Sequence, residues 1–166
     1  YRKASFLLDA LDTAVFPDFV TISEDPGVLR GFASRAYDSE GVQTVARDII
    51  SEGVLRGFVL SNYSANKLGL QTTGNAGGTH NLTINSGDLD REGLLQEMGT
   101  GLLVTELMGQ SLNMVTGDYS RGAAGFWVEN GEIQYPVEEI TVASNLKEMY
   151  ANLRALGSDI DRRGSV

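Results

Sequence analysis

Cysteine is absent from the 166 residues, which excludes disulfides, thiol nucleophiles and thiolate metal sites together. Histidine occurs once, at His80, so an imidazole metal site would need carboxylates to complete it, and none nearby has the spacing. No apolar run approaches the roughly 20 residues of a membrane-spanning helix. No signal peptide is visible in the opening YRKASFLLDALD, which is interrupted by charge. Basic residues are scarce, 13 Lys and Arg against 22 Asp and Glu, and the net charge of -9 argues against nucleic-acid or anionic-membrane binding. What is present is ordinary for a soluble globular protein: 42% apolar and 21% charged residues. The length suits a single domain over residues 1–166 with a real core. A first residue other than Met and the ending DRRGSV read as a segment of a longer chain.

Ala4, Leu7, Leu8, Leu11 and Val15 recur at helical spacing until Pro17, which predicts a helix over 1–15. Val20–Ile22 reads as a short strand before the Asp25-Pro26-Gly27 turn. After the polar turn DSEG at 38–41, Val45, Arg47 and Ile49 alternate with Thr44, Ala46 and Asp48, the pattern of a half-buried strand. Ser51-Glu52-Gly53 then closes a hairpin onto VLRGFVL at 54–60, with Gly53 supplying a positive φ. The hexapeptide GVLRGF stands twice, at 27–32 and 53–58, each copy followed at equal distance by a tyrosine, Tyr37 and Tyr63. Two units fall short of a repeat architecture, so the copies are either two similar strands of one sheet or a coincidence.

The polar, glycine-rich centre at 62–87 offers a short helix around 64–68, a loop through Gly74, Gly77 and Gly78, and a strand HNLTIN. A capped helix spans Asp90 to Met98 and ends at Gly99. Strands follow at 101–108 and 122–129, the second leading into Asn130-Gly131, the strongest short-range hairpin signal in the chain. The return strand runs through Ile133 and Tyr135 until Pro136 interrupts it, with a further strand at 140–142. Leu146, Met149, Tyr150, Leu153 and Leu156 form a helical stripe, with Asn145 and Glu148 as capping box and Gly157 as stop. About six to eight strands, mostly in hairpins, with three or four flanking helices make an α+β fold around a mainly antiparallel, barrel-like core.

Candidate chemistry is thin. His80 alternates with Leu82 and Ile84, the position of a partly buried structural or substrate-lining histidine, though its residue type could do acid–base work. TGNAGGTH, with Asn75, Gly77 and Gly78, lacks the Gly-Lys-Ser/Thr ending of a phosphate loop and precedes a strand, so it reads as a turn or a close backbone approach. Asp118, Tyr119, Ser120 and Arg121 gather polar groups in a loop before a strand. A nucleophilic Ser120 would need His80 as its base, and no Gly-x-Ser-x-Gly elbow is present. Arg121 and that loop could instead contact a peptide or partner chain. Glu138-Glu139 and Asp159-Asp161 read as solvated charge. Along 122–128 strict alternation sets Gly122, Ala124, Phe126 and Val128 on one face and Ala123, Gly125 and Trp127 on the other, small enough at its start to lie against another backbone.

The run EMGTGLLVTELMGQSLNMVTGDYSRGAAGFWVENGEIQYPVEEITVASNLKEMY, with YRKASFLLDAL, SEDPGVLRG, DSEGVQT and NAGGTHNL, closely resembles the PmbA/TldE branch of the TldD/PmbA family, whose members are also described as modulators of DNA gyrase. The resemblance covers nearly the whole chain and corresponds to the C-terminal half of such a protein. It implies a cytoplasmic bacterial subunit, a homodimer when alone, that pairs with a TldD-like metalloprotease subunit. That complex cleaves unstructured peptides, antitoxins and microcin precursors among them, inside an enclosed chamber. The TldD branch carries a His-Glu-x-x-x-His helix and a cysteine ligand for zinc; the helix equivalent to it would lie just upstream of Tyr1. With one histidine and no cysteine, this chain departs from that set, so the resemblance implies no metal or catalytic residue here and zinc in the partner. Asn75, Gly77, Gly78, His80, Asp118, Tyr119, Ser120 and Arg121 are then expected to line a peptide or partner surface. An interaction module tied to gyrase inhibitors without proteolysis, or an independent hydrolase built on His80, are the alternatives.

Overall fold

The computed structural model describes residues 5–159. In chain order they form β1 (Ile22–Glu24), β2 (Arg47–Ser51), β3 (Val54–Leu55), α1 (Asn62–Leu68), β4 (Leu82–Ile84), α2 (Arg91–Met98), β5 (Gly101–Met108), β6 (Asp118–Glu129), β7 (Glu132–Asn145) and α3 (Leu146–Ala151). The chain divides into two compact units, one reaching to Asn85 and the other beginning at Ser86. Antiparallel sheets with a few helices place it in the α+β class; neither sheet closes into a barrel among the described residues.

The first unit is built on a sheet of order β3-β2-β1-β4. Its β2–β3 hairpin turns through Glu52 (φ 49°) and Gly53 (φ 76°), both left-handed, as a two-residue turn matched to strand twist requires. A β-bulge between Ile22 and Ser23 lets Ile22 pair with Ile50 while Glu24 pairs with Arg47. Val20, Ile50, Leu55, Leu60 and Ala65 are buried here. Helix α1 starts at Ser61, whose hydroxyl accepts from the Ser64 amide at 3.2 Å, and stops at Gly69 in the left-handed region (φ 68°).

The second unit carries a sheet of order β5-β6-β7. Asn130 (φ 53°) and Gly131 (φ 76°) close the β6–β7 hairpin in the predicted way. Asp90 caps α2, its carboxylate accepting from the Gly93 amide at 2.8 Å. Leu95, Ala123, Val128 and Leu146 are the buried apolar side chains of this unit.

Several expectations change. Residues 5–15 are a series of turns and not a helix (residues 1–4 of that prediction lie outside the described residues), with Leu8, Ala10 and Thr13 amides bonding three residues back. The free edge of β3 draws this segment into sheet-like pairing: Asp12 donates to the Leu55 carbonyl at 2.8 Å, and Ala14 bridges Val54. The first GVLRGF copy is not a strand. Arg30 is left-handed (φ 60°), the Asn81 side chain accepts from the Ala33 amide at 3.0 Å, and Leu29 and Phe32 stand 89% and 93% exposed. In the second copy the ladder ends at Leu55, followed by one more bond from the Arg56 amide to Ile49.

Pro136 does not interrupt β7, because β7 is the sheet's edge and a missing N–H there can face away from β6. The irregularity falls instead at Glu139 (φ 57°), where the register slips between the Ala123 and Gly125 pairings. Residues 118–121 are the start of β6 and not a loop, paired with Val142–Asn145 of β7. The final helix stops at Ala151, capped by Asn152, so Leu153 and Leu156 lie beyond it and Gly157 bridges Leu89 instead of ending a helix. Its N-cap holds, although the Asn145 side chain accepts from Lys147, one residue short of a capping box.

Strict alternation along β6 also fails. Ala123 and Val128 are both fully enclosed and Gly125 is buried, because the bulge at Trp127/Val128 shifts the inward phase by one residue. Gly125 answers why the strand begins small: a Cβ there would sit 2.0 Å from the Leu103 carbonyl oxygen of β5. The backbone that comes close belongs to its own sheet.

Candidate functional site

Glu24 is the most deeply buried ionisable side chain of the first unit, 1% exposed at the end of β1. A lone carboxylate there would be costly, and the fold surrounds it with donors. Arg47 Nε, on the paired strand, donates to Oε1 at 2.8 Å. Asn75 Nδ2 donates to both oxygens, at 2.8 and 3.1 Å, and the His80 amide donates to Oε2 at 3.0 Å. Arg47 Nη2 reaches on to Asn75 Oδ1 and the Phe58 carbonyl, at 3.0 and 3.1 Å. Thr73 Oγ1 also donates to Asn75 Oδ1, at 2.6 Å. The cluster thus ties β1, β2 and the TGNAGGTH loop into one network.

The loop's glycines explain its shape. Gly74, Gly77 and Gly78 have φ of 70°, 108° and 122°, and Asn75 Nδ2 reaches the Gly78 carbonyl at 3.2 Å across the turn. His80 Nε2 lies 2.8 Å from the Gly74 carbonyl, which makes Nε2 the protonated nitrogen, and buried Nδ1 has no partner. The imidazole is 2% exposed. Beside it, Asp38 accepts amides from Glu40, Val42 and Ala76 at 2.8 to 2.9 Å. Burial acts to raise the Asp38 pKa, yet those three amides and the charge of His80 together hold it below the ordinary carboxylate value.

Asn75, Gly77, Gly78 and His80 therefore belong to one loop, with Asn75 and His80 in a packed interior and Gly77 and Gly78 exposed at its tip. Neither Glu24, Arg47 nor Asp38 was singled out from sequence. The signal for Arg47 was its position in the apolar register between Val45 and Ile49.

In the second unit, Asp118, Tyr119, Ser120 and Arg121 open β6. Thr116 Oγ1 donates to Asp118 at 2.6 Å and Asn145 Nδ2 at 3.2 Å; these two bonds, Thr116 first, lower the Asp118 pKa against a smaller burial effect. Tyr119 bridges Leu112, and the Ser120 amide donates to the Ser111 carbonyl at 2.9 Å. Arg121 Nη2 donates to the Leu107 carbonyl at 3.3 Å, while its Nε is buried without a partner. These bonds finish a strand start. Among the described residues the ring of His80 bonds to Gly74 of its own unit.

The described residues do not assemble a zinc site of their own. Such a site needs about three protein ligands of the His, Cys or carboxylate type. The one imidazole is enclosed and bonded, and among the described residues no three His, Cys, Asp or Glu side chains group as a metal site. No helix among them is long and apolar enough to cross a membrane.

Comparison with known proteins places this arrangement. The profile of the PmbA/TldA metallopeptidase C-terminal domain matches residues 1–166. The metalloprotease PmbA of Escherichia coli O157:H7 is 58% identical over 166 residues, covering 100% of the chain and 37% of that protein. A Methanothermobacter thermautotrophicus metalloprotease is 30% identical over 93% of the chain and 36% of its own length. Among solved structures, one from Bacteroides thetaiotaomicron named for modulation of DNA gyrase superposes with a TM-score of 0.89 at 35% identity, over 95% of this chain and 36% of that one. TldE from Thermococcus kodakarensis superposes at 0.78 with 26% identity, over 92% and 37%. The chain thus spans little more than a third of the length of these relatives.

Proposed function

The chain belongs to the PmbA/TldA metallopeptidase family as its C-terminal domain, and on that premise we propose that it is part of the non-metal-binding, TldE-type subunit of a peptide-cleaving metalloprotease. The observation that carries this reading is the state of His80. The chain's single histidine has its Nε2 bonded to Gly74 and its ring enclosed, and no cysteine exists to replace it. The hydrolytic zinc then belongs to a TldD-like partner, in the cytoplasm, and the substrates are unstructured peptides. Resemblance to TldE supports the partnership. What this chain contributes is wall. Among the described residues β5 pairs only with β6, so its outer edge offers main-chain groups to an extended chain.

The test is a mixing experiment on full-length protein. Alone, the protein is expected to carry no stoichiometric zinc and to leave an unstructured peptide intact; with a TldD-like partner, cleavage appears and chelation abolishes it. One tightly bound zinc per chain, with cleavage by the isolated protein, overturns the reading. The names of the gyrase-modulator structures favour a second one, a binding module without proteolysis. It gains if mixing yields no cleavage while a gyrase-inhibiting peptide is still bound.

A further inference from the structure

A cleft of about 280 Å³ opens on the first unit between Asp25–Gly27, Arg35–Tyr37 and the segment Gln43, Thr44 and Ala46. At its rim Arg35 is exposed, and among the described residues its guanidinium makes no hydrogen bond or ion pair. In a chain with 22 acidic residues against 13 basic ones, an unpaired arginine in a concavity is a pointed arrangement. No carboxylate pairs with it among the described residues, although Asp25 lines the same cleft. Asp38 holds three backbone amides, Glu24 holds Arg47, and Asp25 accepts the Gly27 amide at 2.7 Å.

The backbone carrying Arg35 is fixed from both sides. Thr44 Oγ1 donates to the Arg35 carbonyl, the Thr44 amide to Ala36 at 3.1 Å, and the Asp38 amide to Val42 at 2.8 Å. Tyr37, 63% exposed, bridges Gln43 across the same ladder. The glycine loop passes close to Arg35: a Cβ on Gly77 would lie 3.8 Å from Arg35 Nη1 and 2.8 Å from Ser39 Oγ. A side chain at 77, strained in any case at φ 108°, would press on Ser39 and only touch the guanidinium.

We propose that this cleft is a specificity subsite in which Arg35 grips a carboxylate carried by an extended peptide. A guanidinium presents two parallel N–H donors that match a carboxylate in a bidentate pair, and a pinned backbone lowers the ordering cost of making it. The tyrosine hydroxyl of Tyr37 and the Gln43 amide supply further donors on the same rim. This subsite rests on the peptide-processing reading above and adds to it a preference for acidic or carboxyl-terminal peptide groups.

The experiment compares wild type, Arg35→Gln and Arg35→Lys in the full-length protein, using one fluorescent unstructured peptide in three forms: a free C-terminus, a C-terminal amide, and internal Glu replaced by Gln. Binding is read by fluorescence anisotropy without the partner, and cleavage by KM and kcat with it. Arg35→Gln is expected to weaken binding of the carboxylate-bearing peptide, and raise its KM, about tenfold with kcat unchanged. Arg35→Lys recovers part of that. The amide form loses affinity in wild type if the terminus is the ligand, and the Gln form if a side chain is. Equal effects of Arg35→Gln on charged and neutral peptides, or none, overturn the subsite. Loss of cleavage in every form with the Arg35-dependent binding intact would overturn the protease reading and leave the subsite standing.

Discussion

Glu24→Ala is the substitution that most directly tests whether the buried polar network organises the first unit. It removes the acceptor of Arg47 Nε, Asn75 Nδ2 and the His80 amide at once. Breaking a buried ion pair by deleting one partner costs about 3–5 kcal/mol. Arg47 is 17% exposed at its side chain, so part of its charge recovers water and the lower end applies to that pair. Asn75 Nδ2 keeps the Gly78 carbonyl, whereas the His80 amide is left orphaned, adding about 1–3 kcal/mol. These losses share one network and do not add fully, so about 4 kcal/mol is the working figure. Glu24→Gln keeps the volume and one acceptor but turns an NH2 toward existing donors, and about 2 kcal/mol is expected. The assay is amide hydrogen exchange on the full-length protein, reading β2 and residues 74–82. Protection there should fall by roughly three decades in Glu24→Ala, since about 1.4 kcal/mol is a factor of ten. Replacing Glu24 and Arg47 together by Met should cost less than the two single changes summed, because no charge is stranded. If Glu24→Ala lowers protection less than tenfold, the network is incidental and the reasoning fails.

Three further tests follow from the same contacts. Gly125→Ala must displace the Leu103 backbone and should destabilise by about 2 kcal/mol or more, whereas Gly122→Ala, with its nearest atom at 3.5 Å, should stay within about 0.5 kcal/mol in urea unfolding. The two GVLRGF copies separate by one experiment: Leu55→Ala should cost about 2–5 kcal/mol and Leu29→Ala almost nothing, and equal costs would restore the idea of equivalent strands. For Asp38 the folded pKa is depressed, so its stabilisation is complete above the unfolded value of 3.8 and is lost as pH falls through the folded one. The melting-temperature gap between wild type and Asp38→Asn should therefore be constant above about pH 5 and shrink below 3.8; a gap unchanged at about pH 2.5 contradicts the assignment.

Local chemistry was readable where it acts over a few residues. Asn130-Gly131, Glu52-Gly53, and the caps Asp90, Asn145 and Gly99 need only their own φ or one side-chain oxygen, and such requirements show in sequence. What depends on a distant strand did not show. The stripe from Ala4 to Val15 is helical in spacing, but the unpaired edge of β3 captures Asp12 and Ala14. Identical hexapeptides part company because Asn81 and Val20 meet different copies: the Asn81 side chain caps Ala33, while Val20 accepts the Gly53 amide at 2.8 Å. Pro136 looked like a break only because its strand was not known to be an edge. Of the candidate residues, His80 stood out by its type and Asn75 only as part of its glycine loop. Glu24, the group that organises both, was invisible because a carboxylate before Asp-Pro-Gly reads as turn.

The division between interior and rim bears on where a partner or substrate can be recognised. Glu24, Asn75, Asp38 and His80 have the chemistry of an active site but are buried, with Arg47 half-covered beside them, and Asp118 and Arg121 complete the start of β6. Such a network holds the Gly74–Gly78 backbone in one conformation, and that conformation sets the surface around Arg35. A loosening of Glu24 should therefore be felt first as weaker recognition at the cleft, before any global unfolding. If Glu24→Gln left the peptide affinity of the full-length protein untouched while lowering exchange protection over 74–82, the interior and the cleft would be independent. The rigid-rim account of Arg35 would then be wrong.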